Sequence, residues 1–256
     1  MDRREFLAGA AAIAATQAAG QTASQAKSQY FELRYYRFHQ GDQGRRLNEW
    51  ASHRMLPLMK KHGLSVSGFF NVSVGPTPVL VRLTCYPSEA EREAAWKRVT
   101  DDPDFDKGIE ALEADPEPPY ERSESALLRA TPYSPEPAAA EPKKPPRVFE
   151  LRIYESDTQK RLRALNRRFA DHTTKLFAKN GFGQVFYGET RIGGNMPNLT
   201  YMLAFDSLDA REKCWNAFRT DPDWIKARDA SLKESGQIVS RVTNWLLTPA
   251  AYSVIQ

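Results

Sequence analysis

The sequence predicts an α+β protein in which two ferredoxin-like βαββαβ repeats form an α/β barrel within one chain. Three observations carry this expectation. The hexapeptide Phe31-Glu32-Leu33-Arg34-Tyr35-Tyr36 returns 118 residues later as Phe149-Glu150-Leu151-Arg152-Ile153-Tyr154. Further identities keep register behind it: Leu47-Asn48 with Leu165-Asn166, Arg92-Glu93-x-x-Trp96 with Arg211-Glu212-x-x-Trp215, Asp102-Pro103-Asp104 with Asp221-Pro222-Asp223, and Tyr133-Ser134 with Tyr252-Ser253. Such register marks a duplicated unit. Within each unit the pattern reads strand, helix, strand, strand, helix, strand, the order that lays two helices on one face of an antiparallel sheet.

In the first repeat, residues 30–38 alternate apolar and polar as a strand does. Gly41-Asp42-Gln43-Gly44 is a turn by composition. Leu47, Trp50, Ala51, Met55, Leu58 and Met59 then mark an amphipathic helix ending at Gly63. Pro57 is expected to bend that helix or remove a hydrogen bond. Residues 66–74 and 78–86 read as a hairpin turned at Gly75-Pro76-Thr77. Ser88 followed by Glu91 has the form of a capping box for a second helix. Asp101-Asp102-Pro103-Asp104 breaks that helix, a shorter one follows, and residues 123–129 make the last strand. The predicted boundaries are a leader at 1–28, repeat 1 at 29–134, an exposed Pro-rich linker at 135–146 and repeat 2 at 147–256.

Composition narrows the function classes. Of 256 residues 41% are hydrophobic, enough for a packed core. Lys and Arg exceed Asp and Glu only by 36 to 32, with no basic run interleaved with aromatics, so nucleic acid is not an expected partner. The two cysteines, Cys85 and Cys214, fall at non-equivalent places in the repeats and read as free thiols. The leader carries Arg3-Arg4-Glu5-Phe6-Leu7 before an Ala-rich run, the pattern of a twin-arginine export signal. The run is too short and weakly apolar to span a bilayer. Cleavage after Ala18 or Gly20 and a periplasmic or otherwise exported location are expected.

A sheet with helices on one face needs a cover on the other. A tandem copy supplies that cover at high effective concentration. The expectation drawn from this is that Phe31, Leu33 and Tyr35 face the helices. Glu32, Arg34 and Tyr36 would then point, with Glu150, Arg152 and Tyr154, into a cavity shared by the two repeats. Arg82 and Thr84 would join them if Val81 and Leu83 face the helices.

These residues resemble the NIPSNAP family, of the dimeric α/β-barrel group. The likeness rests on Phe-Glu-Leu-Arg-x-Tyr, on Leu56-Pro57-Leu58-Met59-Lys60-Lys61-His62-Gly63, on Gly68-Phe69, and on Arg-Glu-x-x-Trp followed by Asp-Pro-Asp. It covers nearly all of 29–134 and 147–254 and implies a tandem NIPSNAP protein. Barrels related to that group include cofactor-free monooxygenases and heme-handling proteins, an analogy of fold. The second repeat has Asp171-His172 in its first helix, as many family members do, whereas the first has His53-Arg54.

The candidate ligand contacts are Arg34, Tyr36, Arg82, Arg152, Tyr154 and Tyr187. Arginine forks grip carboxylates or phosphates, and tyrosines add aromatic walls with a polar tip. The competing reading is that Glu32 and Glu150 already occupy the arginines. His172 is the candidate catalytic base, placed by spacing on or beside a buried stripe; a packing histidine is its plain alternative. Trp50, Trp96, Trp215 and Trp224 read as core anchors. His39, His53, His62 and His172 show no metal-ligand spacing. No phosphate loop or nucleophile elbow is present, and Gly193-Gly194-Asn195 reads as a hairpin turn. No metal or cofactor is expected. The sequence therefore points to a binder of a small acidic or aromatic molecule. The alternatives are a cofactor-free oxygenase with His172 or a tyrosine moving protons, or an assembly module that forms homo-oligomers through its helix faces.

Overall fold

The computed structural model describes residues 27–256, so the expected export signal lies outside the described residues. The repeat 1 elements are β1 (Tyr30–Arg37), α1 (Gln43–Trp50), α2 (Leu56–Lys61), β2 (Ser67–Val74), β3 (Val79–Tyr86), α3 (Glu89–Thr100), α4 (Pro103–Glu113) and β4 (Arg122–Ala130). Repeat 2 supplies β5 (Val148–Glu155), α5 (Gln159–Arg168), α6 (Thr174–Lys179), β6 (Gly183–Ile192), β7 (Asn198–Phe205), α7 (Leu208–Thr220), α8 (Pro222–Ser235) and β8 (Arg241–Pro249). The strands close a barrel in the order β1-β3-β2-β8-β5-β7-β6-β4, and every neighbouring pair is antiparallel. Two seams join the repeats, β2 to β8 and β4 to β6, so no strand edge is left open.

The middle of the lumen is apolar. Phe31, Leu33, Tyr35, Val81 and Leu83 meet Phe149, Leu151, Phe186 and Met202 of the other repeat inside the barrel. An eight-stranded barrel is just wide enough for such side chains to fill it. This corrects the expected orientation of the strands. Glu32, Arg34, Tyr36, Arg82 and Thr84 point away from the partner repeat, toward the helices of their own. Both faces of β1 are covered, so alternation identified two faces without saying which one meets the helices. The physical reason for the outcome is the supply of partners. The lumen has only apolar side chains to offer at this level, whereas α3 brings Arg92 and Trp96 within reach of a carboxylate.

Between α1 and α2 the helix widens into a π turn at Ala51–Met55, and the same turn recurs at Phe169–Thr173. Pro57 is therefore not its cause, because the matching residue in repeat 2 is Lys175. The helix ends at Gly63 (φ +89°), as its sequence implied. Ser88 caps α3 by accepting the Glu91 amide at 3.0 Å. Asp102 and Asp221, each followed by proline, cap α4 and α8. The Gly193–Asn195 hairpin joins β6 to β7, with Asn195 at φ +61°. Cys85 and Cys214 are free and half-buried. Most of the linker is exposed, but Pro137 is buried and the Ala140 amide donates to the Val254 carbonyl. No helix of the described residues is long and apolar enough to cross a membrane.

Candidate functional site

The conserved look of the two repeats has a physical core in one buried ion pair. In repeat 1, Glu32 on β1 is 1% exposed. It accepts from Arg92 Nε at 3.0 Å, Arg92 Nη2 at 3.1 Å and the Tyr86 hydroxyl at 2.9 Å. Trp96 Nε1 donates to that hydroxyl at 2.8 Å. Burial pushes the Glu32 carboxyl up, but the Arg92 hydrogen bonds and the Arg82 and Arg92 charges outweigh it and hold the carboxyl below its usual range. In repeat 2, Glu150 accepts from Arg211 at 2.8 and 2.9 Å, from Trp215 Nε1 at 2.8 Å, and from Arg152. The Arg-Glu-x-x-Trp motif is thus a clamp: arginine and tryptophan, one helical turn apart, close on a strand carboxylate, the tryptophan directly in repeat 2 and through the Tyr86 hydroxyl in repeat 1.

The repeats differ in what surrounds this clamp. Repeat 1 holds a cavity of about 210 Å³ between the sheet and α1, α3 and α4. Arg34 and Arg82, with Tyr36, Thr100 and Glu113, form its polar lining, and the two arginines sit opposite each other in the β1–β3 register. Trp50, Trp96, Phe105 and Tyr120 form much of the apolar wall. Arg82 is 1% exposed, and its guanidinium lies 4.7 Å from the Trp96 ring. Its one polar contact is long, Nη1 to the Tyr36 hydroxyl at 3.4 Å; Nε and Nη2, and Nε of Arg34, are buried with no partner. Among the described residues no carboxylate ion-pairs with either arginine, because Arg92 has taken Glu32.

In repeat 2 the same space is filled. Phe169 stands where repeat 1 has Ala51, and its ring packs on Tyr154, Tyr187 and Tyr201. Tyr201 takes the place of Arg82 opposite Arg152. Arg152 is spoken for by Glu150 and by the Tyr154 hydroxyl at 3.1 Å. The Tyr187 hydroxyl donates to Gln184 at 2.7 Å.

The six expected ligand contacts therefore divide. Arg34, Tyr36 and Arg82 come together around one cavity, while Arg152, Tyr154 and Tyr187 lie in the packed aromatic core of repeat 2. His172 is not on a buried stripe. It is exposed on its π turn, beside a groove of about 110 Å³ against α8 and apart from Arg34 and Arg82. The widened turn has rotated it out of the register that uniform helical spacing assumes. Trp50 and Trp96 are more than core anchors, since both line the cavity. The signal that could have revealed them is the mismatch of Ala51 with Phe169, small against large at one repeat position. Among the described residues no group of three His, Cys, Asp or Glu side chains is placed to hold a metal ion.

Fold and site together define a tandem α+β barrel with a cavity lined by Arg34 and Arg82 on the helix side of repeat 1. The NIPSNAP family profile matches residues 31–135 and 149–254, and the chain belongs to that family. Among solved structures, one described as a "putative monooxygenase" from Lactobacillus acidophilus aligns at TM-score 0.55 and 9% identity, covering 90% of this chain and 100% of that one. Another of the same description, from Fusobacterium nucleatum, aligns at 0.57 and 9%, covering 87% and 93%. An anthrone oxidase-like protein aligns at 0.51 and 12%, covering 87% and 92%. At such identities the likeness is one of fold. No curated protein matched the sequence.

Proposed function

We propose that this protein binds a small anionic molecule with an aromatic or otherwise apolar body in the repeat 1 cavity. The observation that carries the reading is Arg82: a guanidinium almost wholly buried, beside Arg34, with no carboxylate in direct contact and only the longer-range charge of Glu32 to offset it. A buried charge without a hydrogen-bonded counter-ion is costly, and an incoming carboxylate or phosphate relieves that cost. The tryptophan and phenylalanine walls suit a flat apolar body. At about 210 Å³ the cavity is smaller than the ~300–1,000 Å³ of drug-sized sites, so the ligand is compact. Repeat 2 serves as the partner that completes the barrel. His172 has no part in this reading. The Arg3-Arg4 leader supports binding outside the cytoplasm, which fractionation of the native host checks.

Benzoate is a suitable probe, read through the fluorescence of Trp50 and Trp96. Wild-type protein is expected to show saturable quenching. Arg82→Ala weakens it at least tenfold, and Arg152→Ala leaves it unchanged. Ala51→Phe, which copies repeat 2, abolishes it at an overpacking cost of about 1–3 kcal/mol in stability. Equal affinity in wild type and Arg82→Ala contradicts the reading.

A further inference from the structure

The barrel has a second cavity, at the open end of the lumen. One end is sealed by the C-terminal tail, where Ile255 is 3% exposed and packs among the lumen residues. The other end holds a space of about 280 Å³ built by both repeats. Its apolar wall includes Tyr35 of β1 and Trp245 of β8, set edge to face at 5.4 Å. Its opposite wall is polar: Thr190, Asn198 and Thr200, all at most 8% exposed. The matching positions in repeat 1 are Val72, Val79 and Val81, which line the lumen as ordinary apolar core. The fold therefore does not require polar groups there, and burying them carries a desolvation cost.

The hydrogen bonds fix what that wall offers. The Thr190 and Thr200 hydroxyls both donate to Asn198 Oδ1, at 2.8 and 2.9 Å. The Asn198 amide donates to the Gly194 and Asn195 carbonyls. Each threonine oxygen thus has its proton engaged and its lone pairs free, so the wall accepts. Across the space, the Tyr35 hydroxyl lines the cavity with no hydrogen-bonding partner among the described residues, although the residue is 8% exposed. Burial pushes its phenol up, so it stays protonated and can donate. At the rim, Arg37 and Glu124 neutralise each other through bonds of 2.9 and 3.2 Å. The mouth therefore offers no unpaired charge to an anion, unlike the cavity beside Arg82.

We propose that this barrel mouth is a second binding site, for an uncharged hydroxylated aromatic molecule of one or two rings. The ring lies against Tyr35 and Trp245. The ligand hydroxyl donates to a threonine oxygen and accepts from Tyr35. This site is independent of the anion cavity, and its ligand class differs by charge.

The test is ¹⁹F NMR titration of the full chain with 4-fluorophenol. Wild-type protein is expected to shift or broaden the resonance saturably, and excess benzoate leaves that binding in place. Tyr35→Phe, which removes one hydroxyl and keeps the ring, weakens binding about fivefold, the worth of one hydrogen bond. Thr200→Val, close in shape, weakens it similarly, and Arg82→Ala has no effect. The proposal is overturned by absence of saturation in the millimolar range, by wild-type affinity in both Tyr35→Phe and Thr200→Val, or by loss of binding in Arg82→Ala, which would put the phenol beside the arginines.

Discussion

Glu32 shows how one side chain sets the chemistry around it. By taking both prongs of Arg92 it leaves Arg34 and Arg82 without a direct ion-pair partner, so a structural pair leaves weakly compensated charge next to it. In repeat 2 the carboxylate at the same position also takes Arg152, and no free guanidinium remains on that strand. The sequence displayed both glutamates and both arginines at equal spacing. It did not display which pairs would form, because that choice depends on residue 82 against 201 and residue 51 against 169 across the fold. Arg92→Ala tests the clamp. It strands a buried carboxylate, and loss of one partner of a buried pair costs about 3–5 kcal/mol. The lower part of that range is expected here, since Arg92 is 30% exposed and Arg82 remains near Glu32. Urea unfolding checks it; a change under 1 kcal/mol (a value typical of exposed pairs) would mean that the clamp is ornamental.

At the scale of elements, the Asp-Pro-Asp motif was legible as a helix break but not as an electrostatic joint. Asp102 caps α4 through the Asp104 amide and also binds Lys61 at 2.7 Å and His62 at 2.7 Å, tying α4 to the end of α2. Asp221 does the same for α8 with Lys179 at 2.9 Å and Asn180 at 3.1 Å. Hydrogen bonding to Lys61 first, and then to the Asp104 amide and His62, holds the Asp102 carboxyl well below the usual range; Lys179 and Asn180 lead in holding Asp221 down to about 2. An aspartate depressed in the fold binds fewer protons there than in the unfolded chain. Its stabilisation is full above the unfolded value of about 3.9 and is lost as pH falls through the folded value. Glu32 and Glu150 shift in the same direction. The melting temperature is therefore expected to drop steeply between about pH 4 and about pH 2. Asp221→Asn should lower stability at neutral pH and flatten that drop; an unchanged slope would remove Asp221 from the cause. The π turns were not legible at all. Uniform helical spacing put His172 on or beside a buried stripe, and one widened turn in each repeat defeats that arithmetic.

At the scale of the molecule, duplication and barrel were readable because identities 118 and 119 residues apart cannot be kept without a repeated unit. The structure adds what several of those identities are for. The Tyr133 hydroxyl of repeat 1 donates to Asn166 of repeat 2, and the Tyr252 hydroxyl of repeat 2 donates to Asn48 of repeat 1. Ser134 and Ser253 cross in the same way, accepting the Tyr187 and Phe69 amides at 3.0 Å. These are reciprocal clasps, and together with the shared lumen they make each repeat the other's missing half. A fragment of residues 29–134 alone would expose the lumen face and the β2 and β4 edges. It is expected to associate with a second copy, as sedimentation velocity would show, and a stable monomer would contradict the clasp account.

The two repeats are asymmetric: repeat 1 carries the proposed anion site, and repeat 2, whose matching space is filled, closes the barrel. Soaking crystals with 4-bromobenzoate and locating bromine by anomalous scattering tests it most directly. The predicted result is one peak in the repeat 1 cavity, with the carboxylate on Arg34 and Arg82 and the ring against Trp96. A peak among Tyr154, Tyr187 and Tyr201 instead, or an empty repeat 1 cavity at saturating ligand, would contradict it.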